Sequence, residues 1–256
     1  MPSRRLPNSI PAVLRTLKTA RDKYKNTPSA PDRAISAAQF ALLTDTGSPA
    51  SLLTNFEKEC NDVDIALAAQ GALTTDLSQK AAKATMLVSH FHQVFDLAVA
   101  RGEQAASARR FYGRDITATT VPPLGTYDAV IEEAQKIVNG EAARATAEGA
   151  GYVAMANPSA ASVGTALAAF QAAQVAAEDA QEKTDLERED AGALYPQAQA
   201  LAVDICDTVE FFYRNDPSAS SRRVKCERWG VVYVFDGTPP APAPGPGGGG
   251  GNPPVG

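Results

Sequence analysis

At 256 residues the chain can build one large domain or two small ones, and its 44% apolar content supports a core, although Ala dominates it, so helices approach closely while burying little area each. The formal charge of −5, with no basic face long enough to track phosphates, argues against nucleic-acid binding. No run of about 20 apolar residues reads as a transmembrane helix; Ala160 to Ala177 comes nearest but contains Gln171 and Gln174.

Residues 1–10, with Pro2, Pro7, Arg4 and Arg5, read as poorly ordered. A first helix is predicted from Pro11 to Asn26, with Leu14, Leu17 and Tyr24 on one face. After a Pro-rich turn, Asp32 is expected to cap a short helix to Thr44 that buries Ile35, Ala38 and Leu42. The chain then enters the segment that organises it, a helix from Pro49 to Arg101. Its seam runs Leu53, Phe56, Cys60, Val63, Leu67, Gln70, Thr74, Leu77, Ala81, Ala84, Val88, Phe91, Phe95 and Ala98, in alternating steps of three and four. Such steps hold side chains on one helical face, as in a coiled coil. Ser48 is the expected cap, Pro49 the first helical residue and Gly102 the left-handed terminator.

Glu103 to Tyr112 reads as a short helix. Residues 113–125 read as irregular, although Ile116 to Val121 (ITATTV) is β-branched. Tyr127 to Ala147 is a predicted helix, with Tyr127, Val130, Ile131, Ala134, Ile137 and Val138 on one side, expected to cover the far end of the long helices beside Phe95 and Val163. A Gly-rich link leads to a second long helix, Pro158 to Arg214. Its seam includes Val163, Leu167, Phe170, Gln174, Gln181, Thr184, Tyr195, Ile205, Val209 and Phe212. Gly192 and Pro196 are expected to kink or interrupt it. Ser218 to Trp229 is basic, either a terminal helix or an extended arm, and Val231 to Phe235 is the strongest strand signal.

The fold expected is therefore all-α: an elongated antiparallel bundle on two long coiled-coil-like helices, with a short C-terminal strand. Pairing the apolar ends of the seams sets Phe91 near Phe170, Leu77 near Thr184, Phe56 near Ile205, and Cys60 near Cys206. Both seams are polar in the middle, and Glu178 to Asp190 carries charge around most of its helix. The arrangement is either a dumbbell or a uniform four-helix bundle with polar core positions. In the dumbbell, residues 1–65 with 200–236 and residues 85–175 form the ends of a bundle spanning 1–236, joined by a thin waist. The tail 237–256 is a Pro/Gly spacer.

Several chemistries find no support. Di-iron bundles need Glu-x-x-His pairs, and Leu87 and Ser89 stand three residues before His90 and His92. Two residues apart on a helix is about 200°, so these histidines cannot close on one ion. Cys60, Cys206 and Cys226 are an odd set without redox or protease motifs, expected as reduced thiols. Cys226, among Arg222, Arg223, Lys225 and Arg228, could have a lowered pKa but reads first as an ordinary thiol on a basic arm. Gly247 to Gly251 follows no strand and lacks the Lys of a phosphate loop. Glu132, Glu133 and the acidic run read as solvated helix faces. No catalytic, cofactor-binding or metal-binding residue is assigned, and the chain is read as a non-enzyme.

A single strand is not stable alone. The candidate interaction residues are Val231, Val232, Tyr233, Val234 and Phe235, with Ile116, Thr117, Thr119 and Val121 as the other strand-like segment, expected at the opposite end. This suggests pairing between molecules, edge to edge, in an open head-to-tail assembly. The expected partner is protein, chiefly a second copy of the chain. Membrane activity is the rival class, resting on Ala160 to Ala177, and an enzyme whose site is assembled from distant helices is third. Met1-Pro-Ser-Arg-Arg leads into no apolar signal region, so the cytoplasm is the default compartment, with non-classical export left open.

The stretches Ala100-Arg-Gly-Glu103, Phe111-Tyr-Gly113, Gly140-Glu-Ala-Ala-Arg144, Val209-Glu-Phe-Phe-Tyr-Arg214 and Arg228-Trp-Gly-Val-Val-Tyr233 resemble those of a group of uncharacterised bacterial helical proteins. The resemblance covers most of the helical region and implies no activity, substrate or cofactor.

Overall fold

The computed structural model describes residues 2–45 and 50–235. The chain is an all-α bundle with one two-stranded sheet. In order it forms β1 (Pro2–Arg5), α1 (Ile10–Lys25), α2 (Ala37–Ala41), α3 (Leu52–Ala100), α4 (Tyr127–Glu148), α5 (Ala160–Phe212), α6 (Ala219–Glu227) and β2 (Val232–Phe235). Short 3-10 turns lie at Ala30–Asp32, Ala106–Tyr112 and Gly149–Gly151. Two compact units result: a terminal unit, Met1–Lys58 with Gly192–Gly256, and a middle unit, Glu59–Ala191. Ser48, Pro49 and the tail 237–256 lie outside the described residues.

The terminal unit is built on the first turns of α3 and the last turns of α5. Val13, Leu17 and Ala20 of α1 are buried, as are Leu53, Phe56, Ile205, Val209 and Trp229. Tyr24 stacks on Phe40, ring centroids 4.0 Å apart. The short helix after the Pro-rich turn is capped by Ser36 rather than Asp32. Ser36 Oγ accepts the Gln39 N–H and the Gln39 side chain accepts the Ser36 N–H, a reciprocal capping box. Leu42, expected inside, is exposed, and Leu43 takes the buried place. At the start of α3, Ser51 Oγ accepts the Thr54 N–H at 3.2 Å, and the Asp45 carboxylate accepts from the Ser51 N–H and the Thr54 hydroxyl. These bonds hold the Asp45 carboxyl below its usual range.

Two expectations about this unit are corrected. Residues 2–5 are strand β1, paired antiparallel with β2 in the register Ser3↔Val234, Arg4↔Tyr233 and Arg5↔Val232. Arg4 anchors the pair through Asp207 (2.5 Å) and Glu210 (3.0 Å), and the Tyr233 hydroxyl donates to Glu210 at 2.6 Å. The sequence hides this partner because a Pro-Ser-Arg-Arg segment has no strand signal of its own. The second is the place of Cys226: the basic segment takes the helical of its two alternatives, as α6 capped by Ser218, and Cys226 is fully buried rather than an ordinary thiol on a basic arm. Burial pushes the Cys226 thiol up, the opposite of an activated thiolate, and pushes that of Cys206 up to about 11.

The middle unit holds the remainder of α3 and α5 with α4 and the connections. Val88, Phe91, Phe95, Tyr112, Ala134, Ile137, Val163 and Leu167 form its main core, as expected for α4 beside Phe95 and Val163. A second cluster joins Ala81, Ala84, Val130, Ala166 and Phe170. Thr126 caps α4. The 3-10 turn presses on α4 at Gly140, where a Cβ would lie 2.3 Å from the Phe111 carbonyl oxygen. α3 ends as expected, with Gly102 in the left-handed region at φ 77°.

The pairing of the long helices differs from expectation by about ten residues, or nearly three turns. Phe170 packs with Ala81 and Ala84, Phe56 meets Tyr195 with centroids 6.4 Å apart, and Gln70 hydrogen-bonds Gln181. A slip of three turns leaves a 3.5-residue seam in phase, so periodicity alone cannot fix it. The expected interruption of α5 does not occur: the helix continues through Gly192 and Pro196. Pro196 removes the N–H that would bond the Gly192 carbonyl, and both residues are exposed, where water can take its place. Coverage of the rods is uneven. Between Phe56 and Ala81 only Ala66 of α3 is buried, and between Ala173 and Ala191 only Thr184 of α5 is.

Candidate functional site

The residues expected to meet a partner separate into two settings. Val231 is buried, its N–H donating to the Cys226 carbonyl, while Val232 and Tyr233 are half-buried and Val234 is 38% exposed, these three paired with β1. Ile116, Thr117, Thr119 and Val121 form no strand. Arg109 Nη1 donates to the Ile116 carbonyl at 2.9 Å, and Arg114 Nη2 donates to the carbonyls of Thr120 (2.9 Å) and Ala118 (3.4 Å). Arginines thus take carbonyls that a strand would offer to a neighbour, overriding the β-branched propensity. The same two arginines clasp Asp96, Arg109 through Nε at 2.9 Å and Arg114 through both terminal nitrogens at 3.1 and 2.8 Å. Burial alone would raise the Asp96 carboxyl, but these bonds overcome it and hold it below its usual range.

A second buried polar cluster ties the connections of the middle unit to α4. Arg144 is fully buried and Glu141 nearly so. Glu141 Oε1 accepts from Tyr152 (2.6 Å), Arg144 (3.1 Å) and the Met155 N–H (3.2 Å), while Oε2 accepts from Tyr112. Arg144 also donates to Gln104 (2.5 Å) and to the Val153 carbonyl (2.7 Å). Desolvation would raise the Glu141 carboxyl, yet its donors hold it low, and burial with the Glu141 bond raises the Tyr112 phenol. Four donors, three on Oε1 and one on Oε2, hold this one carboxylate in place. The cluster clamps both connecting segments to α4, the first through Gln104 and Tyr112 and the second through Tyr152, Val153 and Met155.

His92 is fully buried with neither ring nitrogen hydrogen-bonded, and the nearest carboxylate oxygen, of Glu133, lies 3.7 Å away. Burial, aided by Arg114 and Lys136 and opposed by Asp96, pushes its pKa down to about 4, so the ring is neutral at pH 7. His90 is exposed, on another face of α3. Elsewhere, Glu59, Asp62 and Glu187 bring carboxylate oxygens within 4.8 Å of one another, a set of hard oxygen ligands of the kind that suits Mg²⁺ or Ca²⁺.

The surface that stands out lies along α5 in the middle unit. An open groove of about 670 Å³ is lined by Leu77, Tyr127, Ala177 and Leu186, with Glu178, Glu182, Asp185 and Glu189 among its walls. The four acids follow one another at steps of four, three and four, which sets them in one row along the helix. Like charges at such spacing destabilise a helix. Asp185 is paired with Arg188 at 3.1 Å, but among the described residues no cation pairs with Glu178, Glu182 or Glu189. Leu186 is 56% and Tyr127 43% exposed, so the apolar lining is open to solvent.

This row belongs to a larger imbalance. The middle unit carries 10 Lys and Arg against 19 Asp and Glu, a net −9; the terminal unit carries 14 against 10, a net +4. The terminal unit also exposes Phe211 (64%), Phe212 (41%) and Val224 (49%) where α5 gives way to α6. The Arg214 guanidinium sits over the Phe211 ring at 3.6 Å, and Arg222 donates to the Arg214 carbonyl at 3.4 Å. Phe212 was expected on the buried seam; the seam ends at Val209. The acidic run was legible, but its groove depends on Leu77 and Tyr127 from other helices. No family model, curated protein or solved structure matches the chain.

Proposed function

We propose that the chain is a non-enzymatic interaction protein that self-associates, the basic terminal unit of one molecule meeting the acidic middle unit of another. The observation that carries this reading is the charge separation, +4 against −9, in a chain whose total is only −5. Opposite fields on two surfaces steer encounter and fix orientation. The contact first expected, at Val231–Phe235, loses its motive: the strand was sent to a second molecule for want of a partner, and β1 is that partner. Deleting residues 231–256 would remove buried Val231 and the Tyr233–Glu210 bond, and so would damage the terminal unit itself. The cleaner experiment is light scattering of the full chain across a concentration series, with negative-stain electron microscopy alongside. Mass that grows with concentration supports the reading; a monomer at every concentration overturns it.

One observation favours the rival membrane reading. Helix α5 contains an 18-residue window of mean hydropathy 1.2, of which 28% is buried. A membrane-active chain would release dye from liposomes at concentrations where the self-associating chain leaves them sealed.

A further inference from the structure

We infer that self-association is seated in one matched pair of surfaces: the α5 groove of one molecule receives the Phe211–Arg214 tip and α6 of a second copy. This rests on the reading above and makes it specific.

The groove has the makings of a docking site that the chain leaves half finished. It is open, its lining sets Leu77, Tyr127, Ala177 and Leu186 among polar residues, and among the described residues three of its carboxylates have no cation. The tip is its complement. Phe211 and Phe212 are large apolar side chains on the surface of the terminal unit. Among the described residues no carboxylate pairs with Arg214, Arg222, Arg223 or Arg228. Exposed aromatics beside arginines are the residue types that anchor protein interfaces. The Arg214 guanidinium carbon sits over the Phe211 ring, 3.6 Å from its centroid, so a ring seated on Leu77 and Leu186 would bring the guanidinium to the acidic row.

The occupant is a second copy because both halves are present on this chain in equal number and with opposite charge. Two different patches make a heterologous contact, which need not close and can propagate. The groove of the first molecule and the tip of the last then stay open to further copies.

Two double variants test this, since all four positions are exposed and their substitution should leave the fold intact. One removes the tip, Phe211→Ser with Phe212→Ser. The other reverses the row, Glu182→Lys with Glu189→Lys. Circular dichroism should show unchanged helicity in both. In sedimentation, each variant alone should lose at least 10-fold in self-association, while an equimolar mixture should give a 1:1 heterodimer and nothing larger, because one intact tip and one intact groove remain. A variant that assembles alone like the parent chain overturns this contact and leaves self-association standing. A mixture of folded variants that stays monomeric also overturns it. A parent chain that is monomeric throughout removes the underlying reading.

Discussion

The two units solve the same problem with different means. Both must tie short segments onto the same pair of long helices. The terminal unit does it with apolar bulk: Trp229, Phe56, Leu17, Leu53 and Ile205 are all essentially inaccessible, and its turns are short. The middle unit has more connecting chain, from residue 101 to 126 and from 149 to 159, and an Ala-rich seam. It holds those connections with buried arginines, Arg109 and Arg114 on Asp96 and Arg144 on Glu141, each also gripping loop carbonyls. The lesson is that buried charge is added to an apolar core where loops, which carry many carbonyls, must be fixed: Phe91, Phe95, Phe170 and Ile137 of the middle unit are as inaccessible as the anchors of the terminal unit. It also makes the middle unit the more fragile half.

The largest expected effect tests that fragility. Arg144→Met leaves Glu141 buried without its charge partner and removes one of the two donors to the Val153 carbonyl, the other being Gln104, and should cost about 3–5 kcal/mol, the usual range for breaking a buried pair. Hydrogen exchange should show the loss in peptides of residues 59–191 and little change in residues 10–45. Equal loss in both units would break the distinction.

Acid should separate the units next. Both histidines belong to the middle unit, and buried His92 has its pKa pushed down to about 4 from 6.5. A base with a lowered folded-state pKa contributes stability that is present above 6.5 and lost as pH falls through 4. Protonation therefore favours the unfolded chain, and the middle unit should lose about 3 kcal/mol across that window. His92→Leu should flatten the denaturation midpoint between pH 6.5 and 4; an unchanged slope would show that another group governs it. Below that window the carboxyls of Asp96 and Glu141, both held low, lose their stabilising contribution as they protonate.

Glycines sharpen the comparison at smaller cost. Gly230 in the terminal unit has φ 96° and a Cβ there would lie 2.9 Å from the Thr16 carbonyl oxygen; at Gly140 in the middle unit the corresponding approach is to Phe111. Gly230→Ala and Gly140→Ala should each cost about 1–3 kcal/mol or more, by crowding against backbone. Thermal melts should show both lowered. The smallest effect has the most telling sign. Glu182→Gln relieves repulsion with Glu178 and should raise the melting temperature slightly while weakening self-association. A change of both in the same direction would argue against the groove as a docking surface.

Much of the architecture was legible because it rests on periodicity. The steps of three and four marked both long helices, and Val130, Ala134 and Ile137 marked the face of α4. What periodicity leaves degenerate was missed, above all the pairing of the rods, since Phe91 and Ala81 fall on the same seam. Propensity failed where side chains from elsewhere decide: β1 is a strand because β2 and Arg4 make it one, and Ile116 to Val121 is a loop because two arginines claim its carbonyls. The groove escaped for a related reason. Glu178 to Asp190 reads as a solvated face until Leu77 and Tyr127 are brought beside it.

Sedimentation velocity of the parent chain at low and high salt tests the central claim most directly. If opposite charge on the two units drives assembly, oligomers present at about 50 mM NaCl should dissociate toward monomer at about 500 mM, where charges more than a few ångströms apart are screened. A monomer at low salt, or assembly that strengthens as salt rises, would contradict the account.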